Sequence, residues 1–333
     1  MELQWIEFPD ERFKVHGLAW WSENKPSLSR LPTRLKDTFR PPVWGLAQCP
    51  AGGRIRFKTD STTIGFRAKA PDNSVMHHIT MIGEAGFDIY ADGFMMGSLW
   101  PNASGEMQAA WRIGKERKLR DITIHMPLYK PTTISQIGVE EDSRIEAPAP
   151  FALKKPVVYY GSSITQGGCA STPGTTYQDF ISRWLNVDFI NLGFSGNGQG
   201  EPEVAAAINE IDSCCIVVDH WANIGLKFED NLPVFVGALR KAHKDVPMLV
   251  VGPFYFCSED YESSINPIQR KVAQSFVKKQ RAAGDANIHY VDGLKMVSKD
   301  QSFGLVDGAH CNSLGFYFCA KGLAPYIKRV LGL

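Results

Sequence analysis

Three residues of types that can perform nucleophilic catalysis stand in predicted loops: Ser163, Asp307 and His310. A serine hydroxyl is a poor nucleophile unless an adjacent base takes its proton. Histidine can take up and return a proton near neutral pH, and a carboxylate can fix the tautomer of its imidazole and stabilise its cation. Asp307 and His310 are three positions apart, so one rigid turn can present both side chains. The three residues could therefore act together as nucleophile, orienting acid and base.

After residue 156 short apolar segments alternate with amphipathic segments of helical periodicity. The predicted strands are Val157–Tyr160, Val187–Leu192, Cys215–Val218, Met248–Gly252 and Ile288–Val291. The predicted helices carry Tyr177 to Leu185 and Val204 to Ile211, and span about 232–243, 267–283 and 313–331. This alternation predicts an α/β fold with a parallel, doubly wound, flavodoxin-like sheet. Because ligands bind at the carboxyl ends of such strands, the loops that follow the strands are the candidate site.

The first 150 residues have a different pattern, in which apolar and polar side chains alternate. Arg54–Lys58 and Thr63–Lys69 show this period of two, which predicts half-buried strands, and Ala91-Asp92-Gly93 is a hairpin signal. Many short strands of this kind predict an all-β sandwich or jelly roll. The proline-containing segment Glu146–Pro156 is typical of a linker. We therefore predict a β-sandwich accessory domain at 1–150 and a catalytic α/β domain at 151–333.

The loops of the C-terminal half resemble the sequence blocks of SGNH/GDSL hydrolases. Gly-Ser-Ser-Ile-Thr-Gln-Gly, starting at Gly161, resembles the first block, usually Gly-Asp-Ser-Ile-Thr, and aligns Ser163 with the nucleophile. Asp307-Gly-Ala-His310 resembles the fifth block, Asp-x-x-His, which supplies the orienting acid and the general base. The blocks occur in family order, each on a predicted loop. The resemblance implies a serine hydrolase that requires no metal and no organic cofactor.

The second and third blocks imply the donors that stabilise the oxyanion. Asn191 to Gly196 resembles the second block, whose glycine N–H faces the oxyanion, and Asn223 occupies the position of the third-block asparagine. The implied oxyanion hole thus consists of the N–H groups of Ser163 and Gly196 and the side-chain amide of Asn223.

The chain departs from the family pattern at three positions, where Ser162 replaces the usual Asp, Ile224 an Asp and Cys311 a Pro. These departures indicate a different substrate pocket. We expect Ser162 to line it, together with His220 and Trp221, although packing would equally explain the last two residues.

The first half carries a second resemblance. Gly86, Asp88 and Tyr90 match the GxDLY motif of the N-terminal β-domain in a GDSL-like lipase/acylhydrolase subfamily, with Ile89 in place of Leu. Members of such families are often linked to carbohydrate deacetylation, which implies a short-chain, acetyl ester of a carbohydrate as substrate. The eight tryptophans, including Trp20, Trp21 and Trp100 in the first half, favour sugar binding. An acylhydrolase acting on lipids or thioesters is the alternative.

Composition excludes several other classes. The 333 residues carry a net charge of +1, so no charge field indicates nucleic acid as a partner. No apolar run is long enough for a membrane span, and the first residues lack the pattern of a signal peptide. The seven cysteines contain no C-x-x-C, and we interpret them as free thiols. We expect a cytoplasmic protein that acts on a small-molecule or oligosaccharide ester, with a homodimer possible.

Other functions have less support in the sequence. The glycines from Gly193 to Gly200 do not form G-x-G-x-x-G, and neither a phosphate-binding P-loop nor the G-x-S-x-G elbow occurs. A carbohydrate-binding protein without catalysis would leave Ser163, His310 and Asp307 without a purpose. The pair His77-His78 has no partner at metal-ligand spacing, and we interpret it as structural.

Overall fold

The N-terminal half contains two antiparallel sheets. The computed structural model describes residues 2–261 and 264–333. The strands of this half are β1 (Leu3–Glu7), β2 (Lys14–His16), β3 (Arg54–Thr59), β4 (Thr63–Lys69), β5 (Phe87–Ala91), β6 (Phe94–Leu99), β7 (Glu106–Arg112), β8 (Arg120–His125), β9 (Thr133–Glu140) and β10 (Ile145–Glu146). One sheet has the order β1-β9-β4-β7, and the other has the order β10-β3-β8-β5-β6 with β2 beside β3. The predicted antiparallel β-structure is therefore confirmed.

The two sheets enclose a hydrophobic core of their own. Phe66 on β4 packs against Phe87 on β5, with the ring centroids 4.7 Å apart. The predicted hairpin turn between β5 and β6 is present, and Asp92 and Gly93 both have positive φ, as a tight hairpin turn requires. Short helices connect these strands: α1 (Trp21–Asn24), α2 (Pro41–Ala47) and α3 (Met81–Ala85).

The C-terminal half is a parallel sheet between helices. Its strands are β11 (Val157–Gly161), β12 (Phe189–Gly193), β13 (Cys215–Asp219), β14 (Met248–Val251) and β15 (Ile288–Val291), in the order β12-β11-β13-β14-β15. Its helices are α4 (Ser163–Gln166), α5 (Tyr177–Leu185), α6 (Pro202–Ile208), α7 (Phe228–Arg240), α8 (Asn266–Ala282) and α9 (Ser313–Leu331). α5 packs against α9, and α7 packs against α6 and α8. This strand order is the flavodoxin-like one, so the predicted fold class is confirmed.

The two halves share the larger hydrophobic core. Several apolar side chains of the N-terminal half lie in the same cluster as strands β11 to β15; they are Trp20, Leu31, Phe39, Val43, Ala47, Ala51, Ile79, Leu128 and Tyr129. Polar groups also join the halves, since Asp88 of the GxDLY-like motif accepts a hydrogen bond from Gly174 N at 3.0 Å. The boundary at residue 150 stays a prediction, because the packing crosses it at many positions.

The alternation along β3 has a different cause from the one expected for a half-buried strand. Ile55 and Phe57 face the core between the two antiparallel sheets. Arg54 and Arg56 face the other way, yet their exposed fractions are only 2% and 8%. They are buried because the C-terminal half covers this face, where the Arg54 guanidinium stacks on Phe189 at 3.7 Å.

Within the described residues, no helix is long and apolar enough to cross a membrane.

Candidate functional site

The loop after β11 presents Ser163 at the first position of α4. The side chain of Ser162 accepts a hydrogen bond from Ile164 N at 3.3 Å and so caps this short helix. The turn requires glycine at 161, because a Cβ there would lie 2.1 Å from Thr165 Oγ1. The sharp change from strand to helix holds Ser163 at the carboxyl end of the sheet. Its side chain is nearly buried but reaches His310.

Ser163, His310 and Asp307 form a continuous chain of hydrogen bonds. Ser163 Oγ lies 2.8 Å from His310 Nε2, and His310 Nδ1 lies 2.7 Å from Asp307 Oδ2. Burial alone would raise the pKa of Asp307, but hydrogen bonds from the backbone N–H and ring of His310 outweigh it and lower that pKa to about 2. Asp307 is therefore ionised at neutral pH and accepts the Nδ1 proton. The structure thus brings together all three residues predicted to be catalytic.

A closed turn holds the aspartate and the histidine together. Val306 N donates to His310 O at 2.8 Å, and the N–H of His310 donates to Asp307 Oδ1 at 2.8 Å. Cys257 N also donates to Gly308 O at 2.9 Å, which ties the turn to the loop after β14. Cys311, where the family usually has proline, is buried, and its backbone pairs with that of Leu305 in an isolated antiparallel β-bridge. The turn is therefore fixed from several sides without that proline.

The predicted oxyanion donors lie on loops from the strands that flank β11. In the sheet, Gly161 pairs with Gly193 on β12 and with Asp219 on β13, so the three loops start at the same level. Adjacent strands are about 4.8 Å apart. Gly196 is exposed, has a φ of +67°, and, among the described residues, has no atom within 4 Å of the place where a Cβ would stand. The surface at Gly196 is therefore open.

Asn223 ends a 3₁₀ helix that begins at Trp221, directly after β13. Its side chain is half-buried, and among the described residues its Oδ1 has no hydrogen-bond partner. This oxygen is an acceptor, whereas the predicted role requires the Nδ2 group as donor. The roles of Gly196 and Asn223 stay predictions.

The three residues predicted to line the substrate pocket lie in the interior. Ser162 and His220 have exposed fractions of 0%, and Trp221 has 1%. His220 Nε2 lies 2.9 Å from Asn231 Oδ1, and burial lowers the pKa of His220 to about 4, so its ring is neutral. Trp221 Nε1 donates to Asp219 Oδ1 at 2.7 Å. Through these contacts His220 and Trp221 stabilise the loop after β13. The predicted contact of the three residues with substrate stays a prediction.

Several buried polar residues support the nucleophile loop without having been recognised in the sequence. Asn191 Nδ2 donates to Thr165 O at 2.7 Å, and Tyr129 Oη donates to Ser163 O at 3.2 Å. Thr165 Oγ1 also donates to Asp219 Oδ2 at 3.1 Å. Burial raises the pKa of Asp219 to about 7, although hydrogen bonds from Trp221, Thr165 and Tyr177 act in the opposite direction. For Asp219, a charged residue at the end of an apolar strand was the available signal.

The structure also brings His78 and Cys169 next to His310. The ring centroids of His78 and His310 are 5.9 Å apart. One ring nitrogen of each histidine and the Sγ of Cys169 lie within 4.8 Å of one another, a separation at which they could share a cation. Cys169 is buried with a φ of +76°, and burial together with the charge on Asp307 raises the pKa of its thiol to about 12. The three residues come from segments far apart in the chain, so their spacing in the sequence could not reveal them.

Comparisons with protein families cover both halves. The model of the GDSL-like lipase/acylhydrolase family matches residues 154–328. A model named GxDLY, for the N-terminus of SGNH-hydrolase-type esterases, matches residues 3–145. No curated protein is a significant match to the chain.

Solved structures resemble the chain over its whole length. A Bacteroides ovatus protein assigned as a GDSL-like lipase is 28% identical, with a TM-score of 0.89 and coverage of 99% of this chain and 98% of that one. The salicylyl-acyltransferase SsfX3 of a tetracycline biosynthetic pathway is 18% identical, with a TM-score of 0.82 and the same coverage. An acetyl xylan esterase from Butyrivibrio proteoclasticus is 13% identical, with a TM-score of 0.66 and coverage of 100% and 99%. The last two show the fold alone.

Proposed function

From the fact that the chain belongs to the GDSL-like lipase/acylhydrolase family, we propose that it hydrolyses a carboxylic ester by a Ser-His-Asp mechanism with an acyl-enzyme intermediate. The observation that carries the proposal is the continuous chain of hydrogen bonds, with Ser163 Oγ 2.8 Å from His310 Nε2 and His310 Nδ1 2.7 Å from Asp307 Oδ2. A serine oxygen at this distance from an oriented imidazole can lose its proton as it attacks.

In the proposed reaction, Ser163 Oγ attacks the ester carbonyl carbon while His310 takes the hydroxyl proton. The N–H groups of Ser163 and Gly196 and the amide of Asn223 stabilise the negative charge on the carbonyl oxygen. The bond to the alcohol then breaks, and His310 returns the proton to the departing alkoxide, which leaves an acyl group on Ser163. Water, deprotonated by the same histidine, attacks this acyl-enzyme and releases the acid and the free serine.

We propose a short acyl group, acetyl above all, carried by a carbohydrate. The proposal draws on the names of relatives with the same fold, one an acetyl xylan esterase and one a family two carbohydrate esterase from Clostridium thermocellum studied with cellohexaose. Of the tryptophans considered from the sequence, Trp100 is 52% exposed, whereas Trp20 is buried and donates through Nε1 to Glu210 at 3.0 Å. Trp20 therefore contributes to the core and is not available as a sugar platform.

A second candidate is an acylhydrolase that acts on lipids or thioesters. Val75 and Met76 are 43% and 39% exposed, and they stand shortly before His78, whose ring lies beside that of His310. Exposed apolar side chains at this place could contact a longer acyl chain. The preferred chain length separates the two candidates.

The test compares wild type with Ser163→Ala on p-nitrophenyl esters of increasing acyl length. Wild type should hydrolyse the acetyl ester, and Ser163→Ala should lose about 10⁵-fold or more in kcat. Ser104→Ala is the matched control, because Ser104 is exposed in the N-terminal half. Equal rates for wild type and Ser163→Ala would refute the mechanism. Faster hydrolysis of octanoyl than of acetyl esters would favour the second candidate.

A further inference from the structure

A loop of the N-terminal half enters the site and is held there on both sides of its histidine pair. Thr80 Oγ1 donates to Ser171 O at 2.7 Å, and Ile79 is buried in the core that the two halves share. At the other end of the loop, Lys130 Nζ lies 2.9 Å from Asp72 Oδ1. Met76 N donates to the carboxylate of Glu84 at 2.6 Å. The segment around His78 is therefore anchored before any substrate arrives.

His78 has bonding capacity that the protein does not use. Its side chain is half-buried, and its Nδ1 is buried without a hydrogen-bond partner among the described residues. An imidazole nitrogen removed from water without a partner costs free energy, so such groups commonly meet a ligand. The adjacent His77 differs, because it is exposed. The loop thus directs one histidine of the pair to the site and the other to solvent.

The position of His78 relative to His310 indicates which part of a substrate it would meet. In ester hydrolysis, His310 returns its proton to the departing alcohol, so the alcohol oxygen must come within hydrogen-bond distance of the His310 ring. The ring of His78 is 5.9 Å from that ring, centroid to centroid. Loops from β12 and β13 carry the expected oxyanion donors, whereas His78 comes from the other half of the chain. An alcohol group that receives the proton of His310 would therefore come near the His78 ring.

We propose that His78 binds the alcohol portion of the substrate through a hydroxyl group next to the ester oxygen. This inference rests on the proposed esterase function and extends it to the recognition of a polyol such as a sugar. A hydroxyl group can both donate and accept a hydrogen bond, so it fits either tautomer of the unpartnered imidazole. An alcohol without a neighbouring hydroxyl leaves His78 unpaired. The N-terminal half would then supply specificity for the alcohol while the C-terminal half supplies the reacting groups.

The experiment measures kcat/KM of wild type, His78→Ala and His77→Ala on two acetyl esters. One ester is a mono-O-acetylated methyl xyloside, which has hydroxyl groups beside the ester, and the other is p-nitrophenyl acetate, which has none. His78→Ala should lower kcat/KM for the xyloside by about 10-fold or more relative to its effect on p-nitrophenyl acetate. His77→Ala should leave both values unchanged. His78→Asn, which keeps a donor and an acceptor, should restore part of the selectivity.

The outcomes separate this inference from the function on which it rests. If wild type is active and His78→Ala changes both esters by the same factor, His78 does not bind the alcohol and the inference is overturned. A His77→Ala variant that loses the same selectivity would overturn it as well. If wild type hydrolyses neither ester nor any longer acyl ester, the esterase function itself fails. Thermal unfolding of each variant establishes that altered selectivity comes from folded protein.

Discussion

The two halves of the molecule bring polar side chains to the site in different ways. In the C-terminal half, parallel strands end at one edge, so loops that follow β11, β12 and β13 start side by side. In the N-terminal half, neighbouring strands run in opposite directions and their loops leave at opposite ends. It contributes the anchored loop with His78 and, from the segment after β8, Tyr129, whose hydroxyl donates to Ser163 O.

The two architectures differ in which residues can change without moving the groups that react. A parallel sheet fixes the relative positions of groups that must react together, since its strands set their spacing. A long loop that joins the two antiparallel sheets, such as the one with His78 between β4 and β5, can change its residues without disturbing that spacing. We therefore expect substitutions in the C-terminal half to change the rate with all esters, and substitutions in the loop near His78 to change the preference among esters.

Among variants that keep Ser163, the largest expected effect comes from the predicted orienting acid. Asp307→Asn keeps the shape of the side chain but favours the wrong tautomer of His310, so kcat should fall about 10⁴-fold with every ester. Asp300→Asn, at an exposed position near the same turn, is the control and should retain full activity. A loss confined to one class of ester would contradict the division between the halves.

The second effect concerns stability and tests whether the N-terminal half supports the sheet. Arg30 is buried, and its guanidinium donates to backbone oxygens of both halves, including Gly193 O at 2.7 Å and Cys49 O at 2.7 Å. Arg30→Met leaves these oxygens unpaired and should lower the free energy of unfolding by about 3 kcal/mol or more in urea titrations. Arg34→Met removes an exposed arginine that pairs with Glu23 and Glu210, and it should have little effect. Similar losses for both would contradict the bridging role of Arg30.

A smaller effect is expected from zinc, whose usual ligands are thiolate and imidazole. Because His78, Cys169 and His310 offer three such atoms within 4.8 Å, Zn²⁺ should join the halves across the site and inhibit the enzyme. A chelator should restore the activity. Cys169→Ser should raise the Zn²⁺ concentration that is needed for half-maximal inhibition about tenfold. Cys214→Ser is the control, and inhibition that responds equally to both substitutions would place the zinc elsewhere.

The smallest effect is a pH dependence of stability that arises in the C-terminal half. The pKa of buried Asp219 is raised from 3.8 to about 7, so the folded state holds this proton more tightly than the unfolded state does. Its contribution to stability is complete below about pH 4 and is lost as the pH rises towards 7. Asp219→Asn should therefore gain about 1 kcal/mol relative to wild type between pH 6 and pH 7, measured by urea unfolding. Asp245→Asn, at an exposed position, should show the same pH dependence of stability as wild type. If the difference in free energy of unfolding between Asp219→Asn and wild type becomes smaller as the pH rises, the raised pKa is refuted.

The fold of the C-terminal half could be predicted because its local patterns agree with its packing. The terminal helix was predicted at 313–331 and is observed at Ser313–Leu331, where Phe316, Leu323 and Ile327 are all buried on one face. The proximity of Ser163, His310 and Asp307 was predictable for a related reason. Each belongs to a short motif whose residues stand close together in the chain.

Features that depend on contacts between distant segments escaped the sequence. The charges of Arg54 and Arg56 indicated a solvent-facing side of β3, but docking of the C-terminal half buries them. His78 was interpreted as structural because neither Cys169 nor His310 is near it in the chain. Periodicity reports which face of an element is apolar, and it does not report which other element will cover the polar face.

The shared core has a consequence for how the chain is made. A ribosome releases the N-terminal half first, and at 5–20 residues per second the remaining 183 residues, 151–333, need roughly 10–40 s. During that interval Trp20, Leu31 and Phe39 have no parallel sheet to pack against, because their partners in the core have not been synthesised. These apolar side chains would therefore stay exposed on the nascent chain until the C-terminal half has been synthesised. Molecular chaperones that bind such segments would therefore be expected to accompany its synthesis.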